Sequence, residues 1–225
     1  MNMNKQEALS ALRGIVATRP EYTIRDVFVE SPYINCNLGR LILDEELKRV
    51  RIALDRIIHI SCELGDLSAL ELAHLAGGSL KVRYGEEMTP LHVAAKHNKV
   101  DCLAYICKHG DFLEAYDVYE RTPAHYAVME NCIDALEFLA GCGINQNAID
   151  REKLSLCHYA VIYGSLDCLK FLAKNGADLQ ATDEEGKMPR EMKPKYSDYA
   201  DKPSNLEIVE FLDKFVNRKK LPLTV

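Results

Sequence analysis

Between Leu91 and Gly110 the chain sets a short, almost wholly apolar run against a second, amphipathic one. Leu91 to Lys96 suits an inner helix packed closely on its neighbours through Ala94 and Ala95; Val100 to Lys108 carries Leu103, Ile106 and Cys107 at helical spacing. Thr89 and Pro90 open the pair, with proline in the first turn, where its missing N–H costs nothing. Gly110 stops it, as a left-handed C-terminal residue would. A polar stretch of extended and turn character, Asp111 to Glu120, leads onward.

The same arrangement returns at steps of 33 residues. Thr89-Pro90-Leu91-His92 is followed by Thr122-Pro123-Ala124-His125 and then by Ser155-Leu156-Cys157-His158. Ala94, Ala127 and Ala160 keep the step, as do Leu103, Leu136 and Leu169, and Gly77, Gly110, Gly143 and Gly176. His59 and Pro189 extend it to weaker units at either end. One helix pair of this size cannot bury its own apolar faces, whereas pairs stacked side by side can; the period therefore implies a quasi-one-dimensional solenoid.

The segments MTPLHVAAKHNKVDCLAYICKHGDFLEAYD and KLSLCHYAVIYGSLDCLKFLAKNGADLQATDEEG resemble the ankyrin repeat. The resemblance runs from about Ala53 to Arg218 and implies an all-α solenoid of stacked helix-turn-helix units with β-turn or hairpin loops, plus an N-terminal helical extension or cap. The expected organisation is an extension over 1–50, a repeat domain over 51–217 and a tail over 218–225. Within the domain, good repeats span 84–116, 117–149 and 150–182, between a degenerate unit at 51–83 and a C-terminal cap at 183–217. The first unit lacks Thr-Pro before His59, the last has Met188-Pro189-Arg190-Glu191, and its outer helix, Leu206 to Phe215, is displaced by an insertion within Lys193 to Asn205. Terminal units have one face in water, so such departures suit caps.

Outside the period, Lys5 to Thr18 reads as helix and Tyr22 to Glu30 as a short helix or strand. Ile42 to Ile60 reads as one long amphipathic helix running into the first unit, with Leu41, Leu43, Leu47, Val50 and Leu54 against the stack. An N-terminal segment this short is marginal as an independent core. It reads as a cap, the alternative being a separate functional module.

Composition narrows the function. The 225 residues are 48% apolar and 28% charged, with a net charge of −6, which argues against non-specific nucleic-acid binding. No apolar run reaches the roughly 20 residues of a membrane span, and the polar start, Met1 to Arg13, has no signal-peptide core. The eight cysteines form no dense framework, so reduced thiols in an intracellular setting, cytoplasmic or nuclear, are expected. No Gly-rich phosphate loop, HExxH or paired-carboxylate signature is present, and neither an enzyme nor a cofactor is expected. His59, His92, His125 and His158 share one column; whole repeats apart, they are too distant to share a metal. The family resemblance implies that they bond the turn backbone and the adjacent Thr or Ser. Cys102, Cys107 and His109 form a C-x4-C-x-H string, but both cysteines occupy core columns, and no metal is expected.

What remains is surface. In ankyrin proteins partners contact the turn tips and the exposed positions of the inner helices. Carried onto this chain, those columns give Glu86, Met88, Tyr116, Val118, Tyr119, Arg121, Arg151, Glu152 and Leu154 on the turns, and Lys96, His97, Met129, Glu130, Ile162 and Tyr163 on the inner helices. Tyr119, Met129, Leu154, Ile162 and Tyr163 are expected to form one apolar patch, with an acidic rim of Asp117, Glu120, Asp150, Glu184 and Glu185. The expected function is a monomeric scaffold or adaptor whose concave face binds another protein, not a nucleic acid or a membrane, through a basic and apolar segment. The alternative is a multi-module protein, for example a bacterial effector in the host-cell cytosol, with the repeats as targeting device. The C-terminal Leu223-Thr224-Val225 resembles a ligand for carboxylate-capturing peptide domains.

Overall fold

The computed structural model describes residues 37–110, 113, 115–193 and 203–218. Lys5 to Thr18, Tyr22 to Glu30 and the Leu223-Thr224-Val225 tail lie outside these residues, as do the side chains of Leu41, Leu43 and Leu47. Among the described residues the chain is all helix and turn. Nine α-helices follow in order: α1 (Asn37–Leu64), α2 (Leu67–Leu75), α3 (Pro90–Lys96), α4 (Val100–Lys108), α5 (Pro123–Met129), α6 (Ile133–Gly141), α7 (Leu156–Tyr163), α8 (Leu166–Lys174) and α9 (Pro203–Arg218). The inner helices α3, α5 and α7 form one layer and the outer helices α2, α4, α6 and α8 a second. α1 packs on α2 and α3 and so occupies the inner layer of the first unit.

Both ends depart from the repeating pattern. α1 is a single 28-residue helix with Leu54 and Ile58 buried and Val50 packed beside them. At the other end the inner helix shrinks to a 3-10 turn, Pro189–Glu191, against α7, and α9 closes the outer layer by burying Ile208 and Leu212.

Each inner helix begins with the same device. His92 Nδ1 accepts the Thr89 N–H at 3.2 Å and the Thr89 hydroxyl at 2.8 Å, while Nε2–H donates to Arg121 O at 3.0 Å in the next unit. His158 repeats it with Ser155 and Lys187 O. This is a capping box in which histidine replaces the usual Glu or Gln and spends its second nitrogen on the neighbour. In the middle unit His125 Nδ1 accepts from Thr122, but Nε2 only points toward Leu154 O without closing a hydrogen bond. His59 sits in the column but not in the device: its Nε2 faces Val82 O at 3.4 Å and its ring meets Tyr84 edge-on.

A second column supplies the turn between the paired helices. Gly65, Asn98, Asn131 and Gly164 all take positive φ, at 80°, 55°, 52° and 75°. The two asparagines tolerate this region and tie adjacent units together. Asn98 Oδ1 accepts Ala135 N–H at 2.9 Å and its amide donates to Asp134, while Asn131 does the same for Cys168 and Asp167.

Packing under the first unit depends on the absence of one side chain. A Cβ at Gly78 would stand 2.7 Å from Ile58 Cδ1 and 2.9 Å from Ala73 O, a backbone atom. Gly78→Ala should therefore cost about 1–3 kcal/mol as overpacking, read as a lower urea midpoint at unchanged slope.

Candidate partner-binding surface

The turns before the inner helices project as a row of fingers. Each tip donates a backbone N–H to the preceding one: Val118 to Glu86 O at 3.1 Å, Arg151 to Tyr119 O at 3.0 Å and Glu184 to Glu152 O at 3.1 Å. Two fingers close on themselves as antiparallel bridges, Tyr84 with Met88 and Ile149 with Ser155. The row thus presents one continuous edge.

An aspartate at the base folds each of the last three fingers, whereas Tyr84 stands in its place in the first. Asp117 Oδ1 accepts the N–H groups of Tyr119 and Arg121, both at 2.8 Å; Asp150 does the same for Glu152 and Leu154, and Asp183 for Glu185 and Lys187. Asp117 and Asp150 are buried, and each also accepts a hydroxyl from the inner helix above it, Tyr126 at 2.7 Å and Tyr159 at 2.8 Å. The expected acidic rim is corrected accordingly: these two carboxylates are inside, while Glu120, Glu184 and Glu185 are exposed. Their 33-residue spacing with Asp183 was the signal that would have placed them.

One finger carries an extra brace. Arg121 Nε donates to Asp117 Oδ2 at 2.7 Å, and Nη2 reaches Tyr126 Oη at 2.6 Å and the Glu86 carboxylate of the preceding finger. Its guanidinium lies 4.4 Å from the Tyr119 ring centre and 4.9 Å from that of Tyr126. Burial alone would lower the Arg121 pKa, but the carboxylates more than reverse this and hold the charge in place. Burial likewise pushes Asp117 upward, and its hydrogen bonds from Tyr126 and Arg121 bring it below the ordinary carboxylate value. Met88, Leu154 and Lys187 stand where Arg121 stands, so among the described residues this arginine brace is confined to one finger.

Of the candidate contact residues, Glu86, Tyr116, Val118, Tyr119, Glu130, Arg151 and Glu152 are exposed. Tyr116, Val118 and Tyr119 are 44%, 37% and 46% exposed and share the braced finger. Arg121 is turned inward, with its side chain 12% exposed, because it neutralises Asp117. Met88, Met129, Leu154 and Tyr163 are half-buried and pack in part against the core, and Ile162, Lys96 and His97 are also half-buried. Tyr163 stacks parallel on Tyr159 at 5.9 Å. Of the single apolar patch expected from the sequence, only Tyr119 is exposed, beside Tyr116 and Val118 on its finger, while Met129, Leu154, Ile162 and Tyr163 are half-buried. Arg151 reaches Glu120 of the braced finger at 3.8 Å, but both side chains are over 60% exposed, and such a pair contributes little.

Other chemistry is sparse. Among the described residues no three His, Cys, Asp or Glu side chains converge as metal ligands, and no helix is long and apolar enough to cross a membrane. Seven cysteines there are free thiols. Burial pushes Cys157 and Cys168 up to about 12, the behaviour of inert core thiols.

Family comparison agrees with this geometry. Models of ankyrin repeats match residues 58–150 and 139–192, together more than half of the chain. The chain belongs to the ankyrin-repeat family. Members of this family generally mediate protein–protein interaction. No curated protein matches the chain.

Proposed function

We propose that this chain is a monomeric, non-catalytic intracellular scaffold or adaptor whose row of fingers and adjoining inner-helix face bind a partner protein. The observation that carries the reading is the braced finger. Three apolar side chains, two of them tyrosine, stand in solvent on a turn that an arginine, two carboxylates and a buried tyrosine hold rigid. Exposed aromatic residues on a pre-organised surface make binding anchors, because ordering them on association costs little further entropy. The carboxylates of Glu87, Glu120, Glu184 and Glu185 along the same edge favour a partner segment that pairs basic with apolar residues.

A tagged protein used to capture partners, with the Tyr116→Ala/Tyr119→Ala variant alongside, tests this. The double variant should weaken capture tenfold or more, since anchors of this type each contribute about 2 kcal/mol or more, while its melting curve stays within a degree or two of the parent's. A partner retained at full strength would place the binding face elsewhere on the array. The alternative of a separate N-terminal activity falls on residues largely outside those the structure describes, so the finger carries the proposal.

A further inference from the structure

On the outer layer, away from the fingers, His74 and His109 meet across the junction of the first two units. His74 lies in the last turn of α2 and His109 caps the C-terminus of α4. Their ring centres are 5.4 Å apart with planes at 78°. Both rings are oriented through the same residue: His74 Nδ1 sits 3.0 Å from Tyr105 Oη, and His109 Nδ1 sits 2.8 Å from Tyr105 O. A carbonyl only accepts, so His109 carries its proton on Nδ1, which leaves a lone pair on Nε2. Neither Nε2 has a hydrogen-bond partner among the described residues.

The geometry points to a two-imidazole site for a divalent transition metal of the zinc class, bridging the outer helices of the first and second units. Imidazole nitrogen bonds zinc at roughly 2.0–2.1 Å, which puts two ring centres about 5 Å apart at a near-tetrahedral angle. The observed spacing is close to that. Ligating histidines characteristically give their other ring N–H to a carbonyl or similar acceptor, which fixes tautomer and orientation, and His109 already does so. Two protein ligands leave the remaining positions to water. A metal held only in the folded state would staple α2 to α4 and raise the stability of the N-terminal end by mass action.

Zinc chloride titrated into the full chain under a non-thiol reductant tests the site. The expected result is saturable one-to-one binding and a melting temperature that rises with zinc. His74→Asn and His109→Asn should each weaken binding tenfold or more and abolish the rise. Absence of saturable binding by the parent overturns the proposal. So does undiminished binding in both variants, which assigns the metal to cysteine thiols instead. Circular dichroism establishes that each variant folds, and the glutamine variant replaces any asparagine variant that does not.

Discussion

Taking the protein from pH 7 to pH 4.5 should remove roughly 5 kcal/mol of stability through His92 and His125 alone. Burial holds both imidazoles at about 4, against an ordinary 6.5, and neither has room to accept a second proton. Nδ1 of each already accepts from its Thr N–H, and His92 Nε2 donates to Arg121 O. Between pH 6.5 and about 4 the unfolded chain therefore binds protons that the folded chain refuses. The stability is fully present above 6.5 and falls as the pH descends toward 4. The gap is worth about 3 kcal/mol per imidazole when fully titrated. Asp117, held below its ordinary value, extends the loss to still lower pH in the same direction. Urea midpoints at pH 7, 6, 5 and 4.5 measure the effect. His125→Gln keeps an N3 side chain that can accept the cap N–H and does not titrate, so it should remove about half of the slope. A midpoint flat from pH 7 to pH 5 would refute the assignment.

The second large effect is expected from Asp117→Ala, at about 3–5 kcal/mol, because removing one member of a buried ion pair leaves the other with only the exposed Glu86 carboxylate. The substitution also releases the N–H groups of Tyr119 and Arg121 and the Tyr126 hydroxyl. Asp150→Ala breaks the equivalent turn and tyrosine contacts but strands no arginine; about 1–3 kcal/mol is expected there. Adding Arg121→Leu, the residue type of the next unit, should recover part of the Asp117→Ala loss. Denaturant titration of the single and double variants gives the coupling directly, and strictly additive losses would show that Arg121 does not depend on Asp117.

Much of this architecture is legible in one dimension because the solenoid repeats its solutions. Thr-Pro-x-His marks where an inner helix starts, and Leu103, Leu136 and Leu169 mark what an outer helix buries. The long α1 could be read as well, since its apolar spacing continues without a breaker as far as the first unit. The binding surface was less legible. Whether Met129 or Tyr163 faces solvent depends on the side chains packed around it, such as Tyr159 one helical turn before Tyr163, and not on the residue's own column. Arg121 stands in a turn column that the ankyrin resemblance assigns to partner contact; a buried aspartate four positions earlier draws it inward instead.

The finger apices hold one more column. Glu87, Glu120 and Lys153 have φ of 63°, 64° and 60°, and only the last unit places glycine there, at Gly186 with φ 77°. A left-handed residue bearing a Cβ costs about 1 kcal/mol more than glycine. Three successive units forgo that gain and set a charged side chain at the outermost point of the turn. The array is therefore less stable than its own last finger shows it could be, and what it holds in return is a pattern of charge, minus, minus, plus, written along its leading edge.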